Sequence, residues 1–314
     1  MRIIRRITAL FTALILLWGC HNVPKEEAAR LSVAASFYPL YIAALNVIGD
    51  TEDVSLSLLA PPNTGCLHDY QMRPQDMATL EQVDLFIVNG GGMESFLDHV
   101  MDTLPQLNVV TASDHVPLLS AQAESGHHDH DHGDHDDGHD HGDEFVNPHA
   151  WVNIDNYGQY VRNIQQALEA LDPANAERYR QNAARYLDTL AALRDEMHAT
   201  LAPIAGQAIV TFHEAFAYFA EEFSLHVAGV IAQEPGVPPK PEELAAIITH
   251  VKEWKIQALF TEPQYDPAAA QTIARETEAR VYTLDPVVTG DLTPDVYEKA
   301  MRRNQETLLE ALAG

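Results

Sequence analysis

One long segment of the chain, from Ala174 to Leu201, contains neither glycine nor proline and reads ANAERYRQNAARYLDTLAALRDEMHATL. Apolar side chains recur along it every three or four residues, the spacing of one face of an α-helix. These side chains are Tyr179, Ala183, Tyr186, Leu190, Leu193 and Met197. At about 1.5 Å per residue the helix would be about 40 Å long. A helix of that length can join two lobes, so the segments on either side of it are candidates for separate folded units.

Short apolar segments alternate with amphipathic segments on both sides of this helix. Before it, the pattern predicts strands at Leu31–Phe37, Val54–Leu59, Leu85–Val88 and Asn108–Thr111, and helices at Pro39–Ile48, Pro74–Gln82, Met93–Leu104 and Asn153–Leu171. After it, the pattern predicts strands at Ala208–Thr211, Leu225–Ile231, Ala258–Thr261 and Arg280–Leu284, and helices at His213–Phe223, Glu242–Trp254, Asp266–Glu278 and Val296–Leu312. Strands that are apolar throughout are typical of parallel sheets covered on both faces. The predicted fold is α/β, with two lobes, each a parallel sheet flanked by helices, joined by one long linker helix.

This pattern divides the chain into five segments. We predict a signal peptide at residues 1–19, a tether at 20–30, an N-terminal lobe at 31–172, the linker helix at 173–203 and a C-terminal lobe at 204–314. A low-complexity segment at residues 120–144 interrupts the N-terminal lobe.

The first twenty residues have the features of a secretory signal. Three arginines precede an uncharged apolar core, Ile7–Trp18, which is too short for a comfortable membrane span. The sequence LWGC that ends at Cys20 is similar to the lipobox of bacterial lipoproteins, although Trp18 stands where a small residue is preferred. An ordinary signal peptide with an incidental cysteine is the alternative. Lipid on Cys20 would tether the protein outside the cytoplasmic membrane, in the periplasm or at the cell surface.

The charge of the chain excludes several partners. There are 46 acidic residues against 19 Lys+Arg, a formal charge of −27. Such a surface repels phosphate backbones and anionic lipids and attracts cations. We therefore expect no nucleic-acid partner, and no contact with the membrane except through a lipid anchor. We also expect a monomer.

Single histidines stand where apolar strands end. His68 follows the loop after the second strand, His149 follows the low-complexity segment, and His213 follows the first strand after the linker helix. Asp285 directly follows the last predicted strand. Open parallel sheets bind ligands at these strand ends, and imidazole binds Zn²⁺, Cu²⁺, Ni²⁺ and Fe²⁺. Two groups from each lobe would form a four-coordinate metal site, although each histidine taken alone is better explained as a hydrogen-bonded structural residue.

Histidine and aspartate dominate the low-complexity segment. Residues 127–141 contain six aspartates and seven histidines, which are His127, His128, His130, His132, His135, His139 and His141. The segment has no large apolar residue to anchor it. It predicts a loop that binds Zn²⁺, Cu²⁺ or Ni²⁺ loosely at several places, with a solvated acidic loop as the alternative.

Several motifs occur in one order along the chain. They are ASFYPL (Ala35–Leu40), HDYQMRP (His68–Pro74), DLFIVNG (Asp84–Gly90), NPHAW (Asn147–Trp151), TFHEAFAY (Thr211–Tyr218), FTEPQ (Phe260–Gln264) and LDP (Leu284–Pro286). In these motifs the chain resembles the zinc- and manganese-binding substrate-binding proteins of ABC importers. The resemblance extends from about Leu31 to the C-terminus.

This resemblance implies a rigid two-lobe fold with a metal in the cleft between the lobes. It implies that His68, His149 and His213 match the three nitrogen donors of the family, and that Asp285 matches its carboxylate. Manganese members tend to have a carboxylate where this chain has His213, and zinc members resemble this chain in having a histidine-rich loop. The resemblance therefore implies an extracytoplasmic protein that delivers Zn²⁺ to an ABC transporter permease, with a carrier of manganese or another divalent metal as the alternative.

Two further residues are candidates beside this site. Cys66 lies two residues before His68, where the family has an acidic, proline-containing approach, and a thiolate there would bind Zn²⁺ at about 2.3 Å. A small buried thiol is the simpler interpretation of Cys66. Glu262 follows the strand Ala258–Thr261 and is a candidate to orient a ligating imidazole by accepting its hydrogen bond.

A secreted metal-dependent hydrolase is the main functional alternative. His213 and Glu214 begin a segment similar to the helical zinc-protease motif, but Ala217 stands where the second histidine is required. Cys66 and His68 lack a third group that would orient them as a nucleophile and its base. We therefore expect no enzyme activity. A surface adhesin, or a metal buffer without a transporter, is also compatible with the same fold.

Overall fold

Two four-stranded parallel sheets form the framework of the described structure. The computed structural model of the chain describes residues 31–67, 70–120, 146–231 and 239–313. The first sheet contains β1 (Leu31–Ala35), β2 (Val54–Leu58), β3 (Leu85–Val88) and β4 (Asn108–Thr111). The second sheet contains β5 (Ala208–Thr211), β6 (His226–Val230), β7 (Ala258–Thr261) and β8 (Arg280–Thr283). The predicted α/β fold with two parallel sheets is confirmed.

The two sheets share one strand order. It is β2-β1-β3-β4 in the first sheet and β6-β5-β7-β8 in the second, and every pairing is parallel. The strand order reverses between the two central strands, and the loops that follow them run in opposite directions. The C-terminal ends of these strands therefore leave a crevice in which such sheets bind ligands. Residues that follow β1 and β3, or β5 and β7, therefore lie where a ligand would bind.

Helices pack around both sheets. They are α1 (Tyr38–Ile48), α2 (Pro74–Leu80), α3 (Leu97–Thr103), α4 (Ile154–Leu171), α5 (Ala176–Leu201), α6 (Ala217–Glu222), α7 (Pro241–Glu253), α8 (Ala268–Glu276) and α9 (Val296–Leu312). The long helix α5 connects the two lobes, since it packs against α1 and α4 of the first lobe and against α9 of the second. Residues 31–314 form one compact unit. This unit does not test where one lobe ends and the next begins, so the predicted domain boundaries stay predictions. Within the described ranges, no helix has the length and apolar character needed to cross a membrane.

The helix predicted at Met93–Leu104 begins only at Leu97. The cause is the side chain of Glu94, which accepts hydrogen bonds from the backbone N–H groups of Asn89 and Gly90. These bonds hold the segment against the end of β3 and prevent it from starting a helix there.

The helix predicted at His213–Phe223 also begins late. A short 3-10 helix at Glu214–Phe216 precedes α6, and His213 itself is extended, with φ −132° and ψ −177°. Its side chain is hydrogen-bonded to Glu262 of the neighbouring strand end. The propensity of the segment for helix is therefore overridden by a tertiary contact.

The two lobes are held together by buried aromatic contacts. Tyr157 of α4 stacks on Tyr297 of α9, with ring centroids 3.9 Å apart. Trp151 donates from Nε1 to the Pro286 carbonyl oxygen at 2.8 Å. Aromatic pairs of this kind stabilise a structure by about 0.5–1.5 kcal/mol beyond the burial of their area. The apolar core around them includes residues of both sheets, so the lobes pack as one body.

The N-terminus of α4 is capped from both lobes. The side chain of Asn153 accepts a hydrogen bond from the N–H of Asn156 at 2.9 Å, a cap that typically contributes about 1 kcal/mol. Glu222 of α6 reaches across and accepts the N–H of Ile154 at 2.8 Å. Asp155 in the first turn places a negative charge at this helix end, where it interacts favourably with the helix dipole.

Candidate metal centre

His213 leaves the central strand β5 at the crevice of the second sheet. Only Phe212 separates it from Thr211, the last residue of β5. The Thr211 hydroxyl donates to the His213 carbonyl oxygen at 3.0 Å and holds the backbone extended. His213 is 1% exposed, so its ring lies entirely within the protein.

The loop that carries His149 is anchored to the end of β3. Asn89, the residue after β3, donates from Nδ2 to the Pro148 carbonyl oxygen at 2.9 Å. Tyr160 of α4 donates its hydroxyl to Asn89 Oδ1, also at 2.9 Å. These bonds fix the chain one residue before His149, which is fully buried. The first lobe thereby brings a second imidazole to the region between the sheets.

The two imidazoles meet nearly at right angles. Nε2 of His149 lies 3.3 Å from Nε2 of His213, and the ring centroids are 5.0 Å apart. Each ring has its other nitrogen against an acceptor: Nδ1 of His149 is 2.9 Å from Asn147 Oδ1, and Nδ1 of His213 lies against Glu262 Oε1. A ring that donates from Nδ1 presents Nε2 as its metal-binding atom. Both imidazoles therefore direct Nε2 at one point.

Glu262 places a buried carboxylate beside His213. It follows Thr261, the last residue of β7, and Gln264 donates from Nε2 to its second oxygen at 2.7 Å. Burial by itself lowers the pKa of His213, but the Glu262 carboxylate and the contact with Cys66 outweigh burial and raise this pKa to about 10. At neutral pH the metal-free His213 is therefore an imidazolium, and a metal ion must displace the proton from Nε2.

Cys66 is the third candidate donor at this point. Its Sγ lies 3.7 Å from Nε2 of His213. The ligand atoms of Cys66, His149 and His213 all lie within 4.8 Å of one another, and within the described ranges they are the one group of three such side chains with this geometry. Burial raises the pKa of the Cys66 thiol, and the hydrogen bond to His213 opposes that rise. The sequence favours a small buried thiol; the structure places this partly buried thiol against two imidazoles.

Asp285 lies at the end of β8 but outside this group of three. Its carboxylate accepts hydrogen bonds from the N–H of Val287 at 2.8 Å and from Nη2 of Arg303 at 3.2 Å. Burial raises the pKa of Asp285, while these two donors oppose the rise. Pro286, the next residue, accepts the Trp151 hydrogen bond, so Asp285 is one residue from a contact with the His149 loop. Its predicted role as a metal ligand stays a prediction.

The other predicted site residues lie outside the described residues. They are His68, the lipidation candidate Cys20, and the histidine-rich loop with His127, His128, His130, His132, His135, His139 and His141. Their roles stay predictions.

Sequence reasoning gives no separate role to Asn147, and the structure shows two. Its Oδ1 accepts hydrogen bonds from the backbone N–H and the ring Nδ1 of His149, both at 2.9 Å. Its Nδ2 donates to the carbonyl oxygen of Glu214, the residue after His213, at 3.0 Å. One amide therefore orients the first imidazole and ties its loop to the loop of the second. An asparagine two residues before a candidate ligand is the available signal, since asparagine often binds backbone two residues on.

Several known proteins are similar to this chain. The zinc-binding lipoprotein AdcA of Streptococcus pneumoniae is 30% identical over 90% of the chain and 55% of the relative. The high-affinity zinc uptake system protein ZnuA of Yersinia pestis is 30% identical over 83% of the chain and 85% of the relative. The structure of the substrate-binding protein FpvC of Pseudomonas aeruginosa in complex with Mn²⁺ matches with a TM-score of 0.77 at 30% identity, over 90% of this chain and 98% of that one. The chain spans about half the length of the streptococcal relatives it matches.

The fold and the converging imidazoles define a two-lobed substrate-binding protein with a candidate metal site between its lobes. The chain belongs to the family described as zinc-uptake complex component A, periplasmic, whose model matches residues 33–311. That family is one of transport components rather than of enzymes, as the sequence motifs predict.

Proposed function

We propose that this protein binds one Zn²⁺ ion between its lobes and delivers it to an ABC importer. One observation carries the proposal: two buried imidazoles, one from each lobe, direct their Nε2 atoms at one point from 3.3 Å apart. A tetrahedral zinc ion with Zn–N bonds of about 2.0–2.1 Å separates two nitrogen ligands by about 3.3 Å. The described donors therefore already have the spacing that such an ion requires.

The donors also fit zinc better than manganese. Imidazole nitrogen suits Zn²⁺, whereas Mn²⁺ prefers several oxygen ligands. The only described carboxylate that contacts the pair, Glu262, accepts a hydrogen bond from Nδ1 of His213 rather than facing Nε2. The negative charge of Glu262 offsets part of the charge of the ion, although Glu262 itself does not coordinate the ion. We propose His68 and Asp285 as the remaining ligands, as the motifs predict.

Proton competition gives this site a way to release its ion. The raised pKa of His213 means that a proton occupies Nε2 whenever zinc does not. Since protonation restores the ion pair between His213 and Glu262, the empty site is stabilised when a transporter withdraws the metal. We propose that the protein acts as a carrier that exchanges one ion, rather than as an enzyme.

The cellular setting of the proposal follows from the sequence. We place the protein outside the cytoplasmic membrane, in the periplasm or at the cell surface, held by lipid on Cys20 and acting as a monomer that docks on a permease. The segment around His127–His141 would bind further ions more weakly. Relatives named as a zinc-binding lipoprotein and as part of a zinc uptake system support this setting.

Metal competition tests the proposal. The full chain with Cys20→Ser, which prevents lipidation, is titrated with Zn²⁺ against a chromophoric chelator, with and without excess Mn²⁺. We expect one tight zinc equivalent that Mn²⁺ does not displace, and weaker equivalents that disappear when residues 126–142 are deleted. Tighter binding of Mn²⁺ would replace zinc by manganese as the cargo. Loss of the tight equivalent on deletion would move the site to the histidine-rich loop.

Growth under metal limitation tests the transport step. A strain that lacks this protein should grow poorly when a chelator removes zinc, and added zinc alone should restore growth. The His213→Ala variant should fail to complement, while the exposed control His226→Ala should succeed. Normal growth without the protein would leave it as a buffer rather than a carrier.

A further inference from the structure

Among the described side chains at the metal centre, Cys66 is the one to which the proposed function gives no role. It comes from the loop between β2 and α2, and its neighbour Leu67 is fully buried. Leu67 anchors the loop in the core and leaves the thiol of Cys66 facing the two imidazoles. The chain contains two cysteines, and Cys20 lies outside the residues that the structure describes.

The distances around Sγ match those of a ligand. A tetrahedral zinc ion with one Zn–S bond of about 2.3 Å and Zn–N bonds of about 2.0–2.1 Å separates sulfur from nitrogen by about 3.5 Å. Sγ lies 3.7 Å from Nε2 of His213, while the two nitrogens are 3.3 Å apart. Two edges of a tetrahedral face, from Nε2 of His213 to Sγ and from Nε2 of His213 to Nε2 of His149, therefore have about the lengths that zinc requires.

We propose that the Cys66 thiolate is a direct ligand of the ion, beside Nε2 of His149 and Nε2 of His213, and that it takes the fourth position that the motifs give to Asp285. The proposal rests on the proposed function and makes its cargo more specific. A sulfur donor favours thiophilic ions, here Zn²⁺ and the larger Cd²⁺, and disfavours Mn²⁺. The ion displaces the thiol proton as it binds, as coordinating thiols require.

The alternative arrangement of these atoms is a thiol that only packs against the imidazoles. A hydrogen bond to Nε2 of His213 explains why Sγ faces that ring, but it places no demand on the ligand atom of His149, which also lies within 4.8 Å of Sγ. The observed thiol instead lies on the Nε2 side of His213, the side turned away from Glu262 and towards His149. Cys66 therefore occupies the side of the ring where the ion must bind.

Cobalt substitution tests for the sulfur ligand directly. Co²⁺ bound to a thiolate shows an intense near-ultraviolet charge-transfer band that Co²⁺ bound only to nitrogen and oxygen lacks. The full chain with Cys20→Ser is titrated with Co²⁺ to saturation, so that the histidine-rich segment and the tight site are both filled. Because Cys66 is then the only cysteine, any such band reports that residue. We expect the band in this protein and its loss in the Cys66→Ser, Cys20→Ser protein.

X-ray absorption at the zinc edge gives the same answer without altering Cys66. We expect one sulfur scatterer at about 2.3 Å in the protein that carries one equivalent of Zn²⁺. We also expect Cys66→Ser to weaken zinc binding by about tenfold and to narrow the preference for Zn²⁺ over Mn²⁺. Absence of both the band and the sulfur scatterer, with zinc still bound, would overturn the Cys66 assignment alone. A tight zinc equivalent that survives in His149→Ala and in His213→Ala would instead overturn the proposed function.

Discussion

Glu94 and Glu262 are buried carboxylates at the crevices of two sheets that have the same strand order, yet they face different donors. Glu94 accepts the Ser36 hydroxyl and the N–H of Asn89, both at 2.7 Å, and the N–H of Gly90 at 3.1 Å. Glu262 accepts from the ring of His213 and from the amide of Gln264. The first carboxylate joins the ends of β1 and β3, and the second holds an imidazole at the ends of β5 and β7.

The shared strand order places a buried carboxylate at the crevice of each sheet. The donors around that carboxylate determine whether it stabilises the fold or orients a metal-binding side chain. The hydroxyl and backbone donors around Glu94 tie the ends of β1 and β3 together at the crevice of the first sheet. An imidazole donor at Glu262 keeps a metal-binding nitrogen directed outward from the second sheet. The first lobe then contributes its own imidazole, His149, from a loop that a neutral amide orients.

The largest expected effect is the loss of either imidazole. His149→Ala and His213→Ala should each weaken zinc binding by more than about a hundredfold, about 2.7 kcal/mol, because each removes a ligand from an ion held between the lobes. Calorimetry with a competing chelator measures this. The exposed histidines His99 and His226 provide matched Ala controls, one from each lobe. A variant that keeps the wild-type affinity would exclude its histidine from the site.

Glu262→Gln tests the orienting role of this carboxylate. The amide keeps the size of the side chain but removes the charge that faces Nδ1 of His213. We expect zinc affinity to fall by about 10- to 100-fold, the usual effect of removing a partner that orients a metal ligand. The pKa of His213, followed by NMR, should fall in the same variant. If both the pKa of His213 and the zinc affinity stay unchanged in Glu262→Gln, then Glu262 does not orient this imidazole, and the contrast with Glu94 fails.

Glu94→Gln is the matched substitution in the first sheet. Three donors converge on Glu94, so the amide must direct its NH₂ at one of them. We expect the free energy of unfolding to fall by about 1–2 kcal/mol, as for other buried donors left without an acceptor, while zinc affinity changes by less than about threefold. Urea unfolding and zinc titration of the same sample separate the two effects. A larger loss of affinity than of stability would mean that Glu94 also controls the metal site.

Glu222 extends the comparison to a buried carboxylate with fewer donors. It accepts one hydrogen bond, from Ile154, and burial raises its pKa to about 8 from 4.5. Between about pH 4.5 and about pH 8 the folded state therefore keeps a proton on Glu222 that the unfolded state loses. The free energy of unfolding of the wild-type protein consequently falls as the pH rises through this range. Glu222→Gln cannot ionise. Between about pH 5 and about pH 8 it should gain about 1 kcal/mol relative to wild type for each pH unit in urea unfolding, and the same pH profile in both proteins would refute the raised pKa of Glu222.

Asp285→Ala should have the smallest effect. The carboxylate already accepts hydrogen bonds from Val287 and Arg303, and water can replace it as a fourth ligand when the histidines remain. We expect zinc affinity to fall by about threefold, about 0.7 kcal/mol, with exposed Asp291→Ala as the control. Anomalous scattering from zinc-loaded crystals would decide the assignment: an ion more than about 3 Å from both Asp285 oxygens is not bound to them.

The fold could be predicted largely from local patterns. The apolar strands at Leu85–Val88 and Asn108–Thr111 and the long helix that ends at Leu201 appear in the structure where periodicity places them. Errors occur where a side chain binds a distant backbone or ring, as at Glu94 and His213. Such contacts override local propensity, and a single sequence does not reveal them.

The sequence by itself determined which chemistry is available: imidazoles and carboxylates at the ends of apolar strands, a cysteine in the loop before α2, and an acidic composition that attracts cations. Only the tertiary structure decided which of these groups share one point. It brought Cys66, His149 and His213 together and left Asp285 outside that group. The physical reason is that the spacing of ligand atoms depends on how two sheets pack across α5, while hydrogen bonds from Asn147 and Glu262 choose the nitrogen that each ring presents. Neither property is local to any segment of the chain.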